Sequence, residues 1–311
     1  MNFKGISYYL GLFCFPISIL AFINILYSSY FDYFLSITSY ITTLIVSFTI
    51  GSSLLFIGRK VEKKINFIEQ LILIIFVYLL ISFLIALPFY LSNYQVTFLN
   101  SLFEAISGTT GTGFSIFKNI KYLDPTLILW RSSSQWIGGL YFLFSIILLI
   151  DIFDHSFKKS LTNFLSFNKS ETFKQALKIF LFYSLITLSI FIILSFFDIR
   201  LFNSLNLAMT IISSGGFLPS NNLSNILINN SQIIVTSILL LTSFFSIFLI
   251  YNLAFTKNHN LNFFNEDIHL LIYFLSLSII FFTFFNFDNN FSELFLSLTS
   301  SVSNIGFSLD N

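Results

Sequence analysis

Three times along this chain an apolar segment of about ten residues, too short to cross a bilayer, runs into a loop that contains glycine. Segment 98–107 leads through Gly108 into Thr109-Thr110-Gly111-Thr112-Gly113-Phe114. Segment 202–211 leads into Ser213-Ser214-Gly215-Gly216-Phe217, and segment 291–300 into Ser303-Asn304-Ile305-Gly306-Phe307. Irregular backbone at membrane depth is tolerated only where protein buries it or where it lines a watery cavity. Glycine admits backbone conformations that a Cβ resists, so such loops can turn successive carbonyls toward one axis. A ring of carbonyls that replaces a hydration shell is how potassium-selective pores discriminate. A half-helix ending within the membrane also turns its negative C-terminal end toward the loop that follows, which favours a cation there. Taken singly, each copy reads equally as a surface amphipathic helix with an ordinary turn. Three copies in register favour the re-entrant reading.

The rest of the chain fits a membrane setting. Its 311 residues are 56% hydrophobic and 9% charged, with a mean hydropathy of +0.86; soluble domains carry about 25% charged residues. Windows 6–27, 33–57, 71–90, 127–150, 179–197, 233–253 and 268–287 are long enough to span a hydrocarbon core of ~30 Å as helices. The expected fold is therefore an all-α polytopic membrane protein, with seven transmembrane helices and three re-entrant pore half-helices. The first window follows Lys4 as a signal peptide would, but it is too long and no small-x-small cleavage site follows, so it reads as a retained helix. Cys14 is the one cysteine, which precludes an intramolecular disulfide, and a net charge of +1 argues against a nucleic-acid partner. No nucleophile constellation, phosphate-binding loop or metal-ligand spacing is present, and His155, His259 and His269 read as solvated. An enzyme is not expected, nor a resident cofactor.

Basic residues set an orientation. With the N-terminus inside, the cytoplasmic segments hold Lys4, Arg59, Lys60, Lys63, Lys64, Lys158, Lys159, Lys169, Lys174, Lys178 and Lys257, and Lys118, Lys121, Arg131 and Arg200 remain on or near the outer side. This obeys the positive-inside rule and places all three glycine loops on the extracytoplasmic face. The lysine-rich stretch 156–178 reads as a solvated loop, or as a docking surface for an acidic or nucleotide-binding partner. After a two-helix segment, 1–66, the chain repeats a unit of leading helix, short segment, glycine loop and closing helix: 67–157, 158–257 and an incomplete 258–311.

The loops and the helix after the first of them resemble the Trk/Ktr/HKT superfamily of potassium transporters, most nearly the bacterial Trk-type uptake subunit. Phe103-Glu104-Ala105 with Ser107-Gly108 and Thr110 to Gly113 resembles the first pore helix and filter, with Gly111 where threonine is usual. Trp130-Arg131-Ser132, Gln135-Trp136 and Gly138-Gly139 resemble the helix motif that follows it. Ala208-Met209-Thr210 with Ser213 to Phe217 resembles the second filter, and Ser303-Asn304-Ile305-Gly306 the third. The resemblance implies potassium as the transported ligand, bound by Thr110, Gly111, Thr112 and Gly113, by Ser213, Ser214 and either Gly215 or Gly216, and by Asn304, Ile305 and Gly306. Gly216-Phe217 aligns with Gly113-Phe114 without a gap, whereas Gly215 is the family-style choice.

Glu104, Arg131 and Gln135 are candidate supports for the pore. Glu104 either raises the local cation concentration or braces its helix, and Arg131 braces either loop carbonyls or Glu104. The resemblance further implies a homodimer in the bacterial cytoplasmic membrane, gated by a cytoplasmic nucleotide-binding subunit. The family builds its pore from four repeats, and this sequence reaches its third loop at residue 311. The expectation is accordingly a chain truncated after that loop and unable to enclose an ion alone, with a non-conducting remnant or assembly partner as the alternative.

Overall fold

The computed structural model describes residues 2–33, 36–59, 67–149, 172–244, 250, 269, 272–273, 276–277, 279–280, 283 and 291–309. The chain divides into two compact units, Met1–Lys158 and Lys159–Asn311. The first holds α1 (Phe3–Tyr30), α2 (Ile37–Gly58), α3 (Phe67–Tyr90), α4 (Phe98–Thr110) and α5 (Pro125–Leu149). The second holds α6 (Thr172–Phe196), α7 (Leu201–Ile212), α8 (Asn230–Phe244) and α9 (Phe291–Val302). Phe3–Tyr30, Ile37–Gly58, Ile68–Tyr90 and Ala176–Phe196 are long and apolar enough to cross a membrane.

The first unit is built inside out, as lipid requires. Ile19, Phe22 and Leu26 of α1 and Ile45, Phe48 and Phe56 of α2 are exposed, while Ser18, Asn24, Ser28, Ser39, Thr43 and Ser47 are buried. With hydrocarbon outside there is no water to draw polar groups outward, so hydroxyls turn to partners within the protein. Ser18 Oγ lies 2.7 Å from Ser47 Oγ across the α1–α2 seam; Ser39 bonds back to the carbonyl of Ser36, just before α2, and Thr43 to that of Ser39. Small residues let this seam close: a Cβ on Gly11 would lie 2.8 Å from the Gly51 carbonyl oxygen. The Asn2 side chain caps α1, its Oδ1 accepting from Gly5 N at 2.9 Å.

α5 is anchored near its N-terminus. Asp124 Oδ1 accepts from Thr126 N (3.2 Å), Tyr40 OH donates to Thr126 Oγ1 (3.2 Å), and the indole of Trp130 donates to the Ile85 carbonyl of α3 (3.1 Å). A Cβ on Gly138 would stand 2.2 Å from the Thr109 carbonyl oxygen, so α5 lies directly on the last turn of α4. In the second unit Gln232 ties the start of α8 to the chain around it. Its Nε2 donates to the Phe197 carbonyl (2.9 Å), and its Oε1 accepts from Ile228 N (2.8 Å). Ser292 of α9 reaches Asn230 of α8 at 3.3 Å.

All three short helices outlast the sequence expectation at the loop end, by three residues in α4, one in α7 and two in α9. Hydroxyl residues expected in the first loop continue α4, and within it Thr109 and Thr110 place their own Oγ1 donors on the carbonyls of Ala105 (2.9 Å) and Ile106 (2.7 Å). The third leading helix, 268–287, and the lysine-rich stretch 156–178 lie largely outside the described residues.

Candidate functional site

α4, α7 and α9 end in one backbone motif. Gly111 (φ 69°), Ser214 (φ 51°) and Asn304 (φ 57°) occupy the left-handed region, and two residues later Gly113 (φ 80°), Gly216 (φ 82°) and Gly306 (φ 76°) do so again. The amide of the first left-handed residue bonds back to the carbonyl three residues earlier: Gly111 to Gly108 (3.2 Å), Ser214 to Ile211 (3.1 Å), Asn304 to Ser301 (3.2 Å). The next amide reaches the carbonyl five residues before it: Thr112 to Ser107 (3.0 Å), Gly215 to Thr210 (2.9 Å), Ile305 to Ser300 (3.1 Å). This paired closure satisfies carbonyls that a helix end leaves orphaned.

The register extends upstream and downstream. The shift that brings Gly111 onto Ser214 also brings Phe98 onto Leu201, the first residues of α4 and α7. It brings left-handed Gln95 (φ 52°) onto Asp198 (φ 60°), and the 3₁₀ turn Ile120–Tyr122 onto Leu223–Asn225. In backbone conformation Gly216, and not Gly215, is therefore the counterpart of Gly113 and Gly306. Gly111 is the counterpart of Ser214 and Asn304, so glycine is not obligatory at that position. A Cβ on Gly306 meets nothing within 4 Å, which leaves conformation as the reason for glycine there.

Glu104 and Arg131 meet. Arg131 Nε donates to Glu104 Oε1 at 2.8 Å, with the side chains 1% and 0% exposed. Ser115, just past the loop, donates to the same carboxylate oxygen (3.0 Å) while its Oγ accepts from Arg131 Nη2 (2.9 Å) and from Phe117 N (3.1 Å). Glu104 Oε2 accepts from Ile116 N (2.8 Å). The guanidinium carbon stands 5.8 Å from the centroid of Phe117. Of the readings open for Arg131, the pairing with Glu104 is present in the structure. Glu104 is enclosed rather than turned to solvent. Gln135 is buried one turn further along α5. Ser115 and Ile116 were not singled out in the sequence; their closeness to Phe114 was the available signal.

No protein-family profile matches the chain. Over 154 residues it is 30% identical to the uncharacterized cation transporter MJ1485 of Methanocaldococcus jannaschii, covering 46% of this chain and 31% of that protein. Over 185 residues it is 25% identical to the Trk system potassium uptake protein TrkH of Escherichia coli, covering 56% of this chain and 38% of the relative. The crystal structure of the potassium transporter TrkH from Vibrio parahaemolyticus superimposes with a TM-score of 0.75 at 18% identity, over 99% of this chain and 66% of that one. The chain shares the fold of that transporter, and stretches of its sequence are similar to Trk potassium uptake proteins. It spans about two thirds of the TrkH structure, and the matched stretches are 31% and 38% of the two relatives' lengths.

Proposed function

We propose that the chain supplies pore loops of a potassium uptake system and conducts potassium inward down its electrochemical gradient. The observation that carries this reading is the triplicate backbone motif. Three half-helices direct their C-terminal ends at three loops of one conformation, each with a glycine at positive φ two residues beyond the first left-handed residue. Helix C-termini carry partial negative charge, which favours a cation, and backbone carbonyls are the ligands that replace its water. The names of the relatives agree: TrkH is a potassium uptake protein.

In this reading Thr110 to Gly113, Ser213 to Gly216 and Asn304 to Gly306 each contribute a quarter of a filter, mostly through carbonyls, and Glu104, Arg131 and Gln135 support the first. The repeats run 67–157, 158–257 and 258–311 after a two-helix segment, 1–66. The charge bias supports a cytoplasmic N-terminus and extracytoplasmic loops in a bacterial cytoplasmic membrane. A homodimer and a cytoplasmic nucleotide-binding regulatory subunit belong to the same reading and rest on the family resemblance.

The test is a single side chain. In an assembly that includes a fourth pore loop, Gly113→Ser is expected to lower potassium uptake relative to sodium, because a Cβ disfavours the φ of 80° held there. Unchanged relative uptake of the two ions, at equal expression, contradicts the placement of Gly113 in a filter.

A further inference from the structure

We propose that Glu104 and Arg131 are positioning residues for selectivity, whose buried pair with Ser115 fixes the chain as it leaves the first loop. The inference rests on the reading of the loops as a filter, and it assigns the pair no part in attracting cations. Both side chains are enclosed, and their charges cancel at 2.8 Å. A carboxylate that already accepts from a guanidinium, a hydroxyl and a backbone amide projects little field toward a passing ion. What the pair does hold is backbone: the amide of Ile116 directly and that of Phe117 through Ser115. Ser115 is two residues beyond Gly113, so a shift at the clamp passes straight to the loop.

Comparison among the repeats supports this assignment. In the common register the position of Glu104 is taken by Leu207 in α7 and Ser297 in α9, neither of which carries a charge. The second loop has its own tie, Thr210 Oγ1 donating to the Phe217 carbonyl at 2.9 Å, and the Phe217 ring is 2% exposed. The first loop lacks both devices. Ser107, the counterpart of Thr210, has an Oγ without a hydrogen-bond partner, and Phe114, the counterpart of Phe217, is 69% exposed. The ion pair occurs where the other fastening is missing.

The experiment compares Glu104→Gln, Arg131→Gln and the double variant Glu104→Leu/Arg131→Met in the assembled transporter in lipid vesicles. Two readouts are taken: the potassium-over-sodium flux ratio and hydrogen exchange at the amides of residues 116 and 117. The positioning role predicts that both single variants lower the ratio about tenfold, since displacements near 1 Å cost up to about a hundredfold where geometry decides a rate, and that both speed exchange at residue 116. A cation-attracting carboxylate predicts opposite shifts instead. Arg131→Gln would lower the potassium concentration for half-maximal flux, Glu104→Gln would raise it, and the ratio would not move; that pattern overturns the proposal.

The double variant copies the leucine of the second repeat and leaves no orphaned charge, so it is expected to fold where a single variant does not. Faster exchange and a lowered ratio in it support the proposal, and unchanged values for both overturn it. Exchange is read without ion flux. Altered exchange in a protein whose unmodified form shows no potassium preference would retire the filter reading and keep the clamp.

Discussion

Leaving the first loop, the chain passes an exposed Phe114 and is caught at the next residues by Ser115, Glu104 and Arg131; leaving the second, it passes a buried Phe217 whose own carbonyl is held by Thr210. The backbone of the two loops is nevertheless the same, down to the pair of amides that close the helix end. What the repeat keeps is a conformation, and what it varies is the means of holding it. A polar clamp suits a loop whose aromatic faces outward, because nothing apolar pins the strand. A buried ring and one hydroxyl suffice where the aromatic turns inward.

The contrast breaks most readily at the aromatics. Phe217→Ala is expected to destabilise the protein by about 3 kcal/mol, the usual cost of emptying a buried phenylalanine site, whereas Phe114→Ala should stay within about 0.5 kcal/mol. Thermal unfolding of the purified protein in detergent measures both, and equal losses would show that the two loops are fastened alike. The hydroxyls give a smaller difference. Thr210→Val removes a buried hydrogen bond and leaves the Phe217 carbonyl without that donor, at a cost of about 1 kcal/mol. Ser107→Ala removes a hydroxyl that has no partner and should be neutral or slightly stabilising. A loss at Ser107 as large as that at Thr210 would mean that the first loop uses the same tie.

Much of the fold was legible because hydropathy and membrane length are tightly coupled. The windows for α1, α2, α3, α5 and α6 lie on the helices observed, that for α8 does so as far as Phe244, beyond which it falls largely outside the described residues, and the short segments begin within a residue of Phe98, Leu201 and Phe291. The helix ends at the loops were not legible. Thr109 and Thr110 read as loop residues by type, yet the helix runs on to Thr110 with their hydroxyls satisfied on carbonyls one turn back. Within the site, the meeting of Glu104 and Arg131 was one of the open readings, but Ser115 and Ile116 were not foreseen, because a hydrogen bond to a backbone amide leaves no mark on residue type.

The second loop shows the same limit. Sequence presents two adjacent glycines without saying which takes positive φ, and the left-handed position before them is filled by Ser214, as it is by Asn304 in the third loop, residues that do not announce that conformation as glycine does. The closure from Gly215 N to the Thr210 carbonyl fixes the register.

Those adjacent glycines offer the most direct test of the claim that one loop conformation is repeated to select an ion. Gly215 occupies the position held by Thr112 and Ile305, where side chains are accommodated, while Gly216 shares its φ with Gly113 and Gly306. The measurement is the potassium-over-sodium flux ratio of Gly215→Ala and Gly216→Ala at matched expression, in an assembly that includes a fourth pore loop. The repeated conformation predicts a marked loss of preference in Gly216→Ala, where an L-residue is strained by about 1–2 kcal/mol, and near-normal preference in Gly215→Ala. Loss of selectivity in Gly215→Ala with Gly216→Ala unaffected would contradict the register and the shared conformation on which the filter reading stands.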